Sequence, residues 1–201
     1  MSKRNPRQPV SDIQNELKQK LENAGRVAIL GIGSELRGDD AAGILTAQQI
    51  EKTISKTYKN KVCHSERSEE SRPHSHQTLR CAQGDTNTPE VRVFIGDTAP
   101  ENLTGEIKRY QPTHLIIIDS ADLDIEPGQI RLINPEQIGG TSFCTHMLPT
   151  SVLINYLMQS FKFEIIAIGI QPKTLTFGAK PSKEARQAAK QLSRVIVESL
   201  E

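Results

Sequence analysis

His114-Leu115-Ile116-Ile117-Ile118-Asp119 decides the fold of this chain. The run is apolar and mostly β-branched, with no alternation of polar residues, which predicts a strand buried on both faces, as in a parallel sheet. Working outward, Arg26 to Ile32 reads as the first strand and Glu164 to Ile170 as another buried one. Val91 to Ile95 is a further strand, and the turn Pro127-Gly128 leads into Gln129 to Ile133, an edge strand. Between these runs the apolar residues fall at helical spacing. Ile13, Leu17 and Leu21 follow the capping-box pattern Ser11-Asp12-Ile13-Gln14, with Gly25 as a stop. Further helices are expected from Ala41 to about Thr53, near Asn102 to Arg109, and from about Leu148 to Ser160, where Leu153, Leu157 and Phe161 share a face. Ser182 caps the last helix, with Ala185, Ala189, Leu192, Ile196 and Leu200 as its apolar stripe. Strands alternating with helices make the fold class α/β, a three-layer sandwich with a mostly parallel twisted sheet flanked by helices.

Composition narrows the function. The 201 residues suit one domain, and 25 Lys+Arg against 24 Asp+Glu leave a net charge of +1. That balance gives no reason to expect nucleic acid or an anionic membrane as partner. Aromatic residues make up 4%, with no Trp, too few for a base-stacking surface. No apolar run approaches the roughly 20 residues of a membrane span. The basic start Met1-Ser2-Lys3-Arg4 lacks the apolar core of a secretory signal, and three cysteines suggest no disulfide framework. The expected location is cytoplasmic.

One segment differs from the rest. Cys63 to Thr88 contains a single aliphatic residue larger than Ala, Leu79, and alternates its charges. It cannot bury enough surface to offset the ordering of its backbone and is read as a solvent-exposed, disordered insertion. Cys63, His64, His74, His76 and Cys81 invite a zinc reading, but their spacing fits no standard finger. The expected organisation is an N-terminal helical extension at 1–25 and a single domain at 26–201, interrupted by the insertion at about 62–89.

Asp40, Asp119 and His146 carry the chemistry. Asp40 follows the first strand, Asp119 ends the central one, and His146 lies in Thr145-His146-Met147-Leu148-Pro149 at the mouth of a helix. In an open parallel sheet, residues just past the carboxyl ends of strands share one crevice. Two carboxylates and an imidazole there would make a divalent-metal site of mixed oxygen and nitrogen ligands. Each residue also has a plainer reading: Asp119 as a loop cap, His146 as a structural hydrogen-bonder, and Asp39 as the N-cap of the following helix. Gly31-Ile32-Gly33 is half of a dinucleotide fingerprint, but Asp39 and Asp40 stand where a pyrophosphate needs bare N–H groups. Cys144 is too near His146 for a standard Cys/His pair, and no Gly-x-Ser-x-Gly elbow, His-Glu-x-x-His or P-loop occurs.

Gly31-Ile32-Gly33-Ser34-Glu35-Leu36-Arg37-Gly38-Asp39-Asp40-Ala41-Ala42-Gly43 resembles the opening motif of the nickel–iron hydrogenase maturation endopeptidases. Ala99-Pro100-Glu101-Asn102, Leu115 to Asp122, Pro127 to Arg131, Thr145 to Pro149 and Gly169-Ile170-Gln171-Pro172 match in order, closest to the branch that processes the formate-hydrogenlyase hydrogenase. Ser34 and Ala41 replace the family's usual Asn and Gly, and Ile95-Gly96-Asp97-Thr98 displaces a carboxylate of its Asp-Gly-Gly. The resemblance implies an endopeptidase that removes the C-terminal peptide of a hydrogenase large-subunit precursor after nickel insertion. It maps the metal ligands onto Asp40, Asp119 and His146, with Asp39 and Asp97 as weaker supporting candidates. The nickel is expected to arrive with the substrate. The alternatives are a binding module that docks on the precursor without cutting it, and a nucleotide-binding enzyme.

Overall fold

The computed structural model describes residues 8–62, 88–133, 142–143, 152, 156 and 163–201. In chain order these form α1 (Val10–Leu21), β1 (Arg26–Ile32), a 3-10 turn (Gly38–Ala41), α2 (Ala42–Val62) and β2 (Glu90–Asp97). A second 3-10 turn (Pro100–Leu103), α3 (Thr104–Tyr110), β3 (His114–Asp122), β4 (Ile130–Ile133), β5 (Ser142–Phe143), β6 (Glu164–Ile170) and α4 (Lys183–Ser199) follow. The strand order is β2-β1-β3-β6-β4, with the short β5 pairing with β3. β2, β1, β3 and β6 run parallel, and β4 joins β6 antiparallel.

The central strand is buried as its sequence requires. Ile116 and Ile118 enter one core cluster with Ile13 and Leu17 of α1, Ala47 and Ile50 of α2, and Leu192 and Ile196 of α4. Leu115 and Ile117 enter a second cluster with Ile107 and Tyr110 of α3. Helices thus cover both faces, giving the three-layer α/β sandwich. Each such buried aliphatic side chain contributes about 1.5–3 kcal/mol over its exposed state.

β1 and β6 keep their expected bounds, while α2 extends well past Thr53 because Ile50 and Ile54 carry its buried stripe onward. The capping box at Ser11 does not form. Pro9, extended at φ −60° and ψ 145°, takes the N-cap position, and its carbonyl accepts the N–H groups of Asp12 and Ile13. Ser11 is left inside the first turn, where its hydroxyl donates to Asp12. α4 is capped as expected, Ser182 Oγ accepting from Ala185 N at 3.1 Å. The insertion expected at about 62–89, with its Cys and His residues, falls almost wholly outside the described residues. So does the helix expected from Leu148 to Ser160, apart from Val152 and Tyr156.

This topology fixes where a site can form. From β1 the chain moves outward to β2, then crosses back to place β3 on the other side of β1. The order reverses between β1 and β3, and such a reversal opens a crevice beyond the carboxyl ends of the two strands.

Candidate functional site

Both aspartates expected at the site lie at that reversal. Asp40, in the 3-10 turn that follows β1, is 1% exposed, and Asp119, near the end of β3, is fully buried. Close packing brings the turn there. Gly33 has φ 144°, and a Cβ on it would overlap the carbonyl oxygen of Asp40. A Cβ on Gly43 would overlap the carbonyl oxygens of both Ile32 and Ile118. Two glycines therefore let the start of α2 rest on the ends of β1 and β3, which sets Asp40 above the sheet.

Ser120 joins the two carboxylates. Its hydroxyl donates to Asp40 Oδ1 at 2.8 Å, and its N–H donates to Asp119 Oδ1 at 2.7 Å. Strand alternation explains the arrangement. Ser120 shares a face with Ile116 and Ile118, the α2 side, whereas Asp119 shares one with Ile117 and Ala121, the α3 side. The carboxylates approach from the two layers, and Ser120 spans them. Reading the sequence alone passed over this residue; the signal was a hydroxyl directly after the aspartate of an apolar strand.

Asp39 has a different task from the helix cap expected of it. Its carboxylate accepts from Lys173 N at 2.7 Å, Ser182 N at 2.6 Å and Ser182 Oγ at 2.9 Å, with Thr174 N at 3.4 Å. It fastens the 3-10 turn to the loop before α4 and leaves its neighbour Asp40 at the reversal. Asp97 is exposed at the end of β2, with φ 47°, and lines a cleft of about 420 Å³ together with Ser34, Glu35 and Ile95. His114 opens β3 at the opposite end from Asp119, its Nε2 3.5 Å from Glu164. His146 lies outside the described residues. Among the described residues, no group of three His, Cys, Asp or Glu side chains is placed to hold a metal ion.

The nucleotide reading loses its basis here. A phosphate cradle needs N–H groups pointing outward. The N–H groups of Gly38, Asp39 and Asp40 instead donate to the carbonyls of Ala179, Thr174 and Arg37.

Residues 78–199 match the family model described as hydrogenase maturation protease, of the HycI type. A putative hydrogenase maturation protease of Methanocaldococcus jannaschii is 31% identical over 185 residues, covering 92% of this chain and 94% of that one. The chain belongs to the hydrogenase maturation protease family. Solved structures agree on the fold. The [NiFe] hydrogenase maturation protease HycI of Thermococcus kodakarensis superimposes with a TM-score of 0.68 at 24% identity, covering 92% of this chain and 98% of its own. The endopeptidase HycI of Escherichia coli gives 0.61 at 26% identity, covering 84% of this chain and 87% of its own. Among the described residues, no helix is long and apolar enough to cross a membrane.

Proposed function

We propose that this chain is the endopeptidase that removes the C-terminal peptide of a nickel–iron hydrogenase large-subunit precursor once nickel has been inserted. The observation that carries this reading is the pair Asp40 and Asp119, buried together at the β1/β3 reversal and linked through Ser120, in a chain of the maturation protease family. In this reading Asp40, Asp119 and His146 bind the nickel that the precursor brings with it.

The donor set suits such an ion. Two carboxylates and one imidazole form a mixed oxygen and nitrogen site, and nickel accepts both kinds of ligand. Burial is costly for a carboxylate, and a divalent cation arriving between two of them offsets that cost. A metal held by three side chains keeps positions open for water and substrate, and it supplies a Lewis acid for a scissile carbonyl. The protein's own part is to hold the two carboxylates in place, through Ser120 and through the Asp39 contacts that fix the turn. Recognition and cutting are then linked, because a precursor without nickel presents nothing for the ligands to grip. The reaction would take place in the cytoplasm.

Mass spectrometry of a nickel-loaded precursor tests the reading. Wild-type protein shortens it to the mature mass, and Asp40→Asn and Asp119→Asn do not. An unchanged mass with wild-type protein overturns the proposed activity, and co-purification with uncut precursor would identify a binding module instead.

A further inference from the structure

We infer that Ser120 is a positioning residue for the nickel site, its hydroxyl turning the Asp40 carboxylate so that it faces the same ion as Asp119, which the backbone N–H of the same residue holds. The inference rests on the reading of those two aspartates as nickel ligands. Three observations carry it. Ser120 donates to both carboxylates at once, by its hydroxyl at 2.8 Å and its N–H at 2.7 Å. Ser120 and Asp119 are fully buried and Asp40 is 1% exposed, so bulk water does not readily replace the hydroxyl. The two carboxylates also reach the reversal from opposite layers of the sandwich, so the strand alone does not align them.

Rotation about the last bond of an aspartate is soft, with broad two-fold wells. A short hydrogen bond to one oxygen narrows it. Here the Ser120 hydroxyl narrows it for Asp40, and the β3 backbone N–H at the same residue, which any side chain would leave in place, narrows it for Asp119. Groups that orient metal ligands in this way typically change metal affinity by about 10–100-fold when removed. If Ser120 served only to satisfy buried oxygens, its loss would lower stability and leave discrimination between loaded and empty precursor alone. The two roles separate in a ratio.

Steady-state processing of nickel-loaded precursor, with metal-free precursor as competitive inhibitor, measures that ratio as KM against Ki. For Ser120→Ala, KM rises by about tenfold or more while Ki stays near the wild-type value. Ser120→Thr, which keeps the hydroxyl, brings KM back. The amount of folded enzyme enters Vmax and not KM or Ki, so a partly unfolded variant leaves the ratio readable. A Ser120→Ala chain whose KM/Ki ratio stays within about twofold of wild type overturns the inference. The ligand reading fails separately, if Asp40→Asn processes the loaded precursor as wild type does.

Discussion

Asp39 accepts both the N–H and the hydroxyl of Ser182, at 2.6 and 2.9 Å, across 143 residues of sequence. Lys173 N adds a third donor at 2.7 Å. The carboxylate sits one residue before Asp40 and is 1% exposed. Asp39→Ala strips these part-buried donors of a charged acceptor, and a hydrogen bond to a charged group contributes about 1.5–3 kcal/mol. The expected loss is about 3 kcal/mol, read in urea unfolding as a lower midpoint with an unchanged slope. Asp39→Asn, which keeps one acceptor oxygen, loses less.

Gly43→Ala is expected to destabilise the protein although alanine favours helices. The added methyl would overlap the carbonyl oxygens of Ile32 and Ile118, so the start of α2 has to lift from the strand ends. Overpacking of this kind costs about 1–3 kcal/mol. Processing should fall further than stability, because Asp40 moves with the helix. Thermal unfolding and precursor mass, measured on one preparation, separate the two effects. A chain with wild-type melting and wild-type processing would contradict the close approach.

Loss of either buried aspartate should abolish processing without unfolding the chain. For Asp40→Asn and Asp119→Asn the rate is expected to drop by more than the roughly 100-fold typical of removing a group behind a metal ligand. Circular dichroism should remain that of the wild type, since asparagine keeps the volume and can still accept from Ser120. Retained activity in either variant would remove that residue from the ligand set.

The pair Lys173 and Glu184, 2.7 Å apart, predicts a weak pH dependence. The hydrogen bond from Lys173 holds the Glu184 carboxyl below its ordinary pKa of 4.5, and the same bond holds the Lys173 amine above 10.5. The contribution of Glu184 is therefore present above the ordinary value and is lost as pH falls through the depressed one. That of Lys173 is present below its ordinary value and is lost as pH rises through the raised one. Both groups are solvent-exposed, so the coupling is screened. A double-mutant cycle with Lys173→Met and Glu184→Gln should show a small coupling at neutral pH that fades in strong acid and in high salt.

The strands were legible because their signals are local. Arg26 to Ile32, His114 to Asp119 and Glu164 to Ile170 are apolar runs with clear ends, and in a sheet covered on both faces such a run has few other uses. The place of Asp119 was legible for the same reason, as a carboxylate closing one of those runs, whereas Asp40 lies eight residues past Ile32, in the turn that leads from β1 into α2. Ser11 misled because proline at position 9 starts the helix two residues earlier than a serine cap would. Ser120 and the role of Asp39 were illegible for a different reason. Their partners lie 80 and 143 residues away, and no local pattern records a hydrogen bond made across the fold.

The bond from Asp39 to Ser182 also bears on biosynthesis. The turn that carries Asp40 is made 143 residues before the serine that helps to fasten it. A nascent polypeptide that has reached Lys173 and Thr174 but not Ser182 holds the turn by only part of its bonds. For a protease of this family, the turn beside Asp40 is complete only once the segment that carries Ser182 has been made.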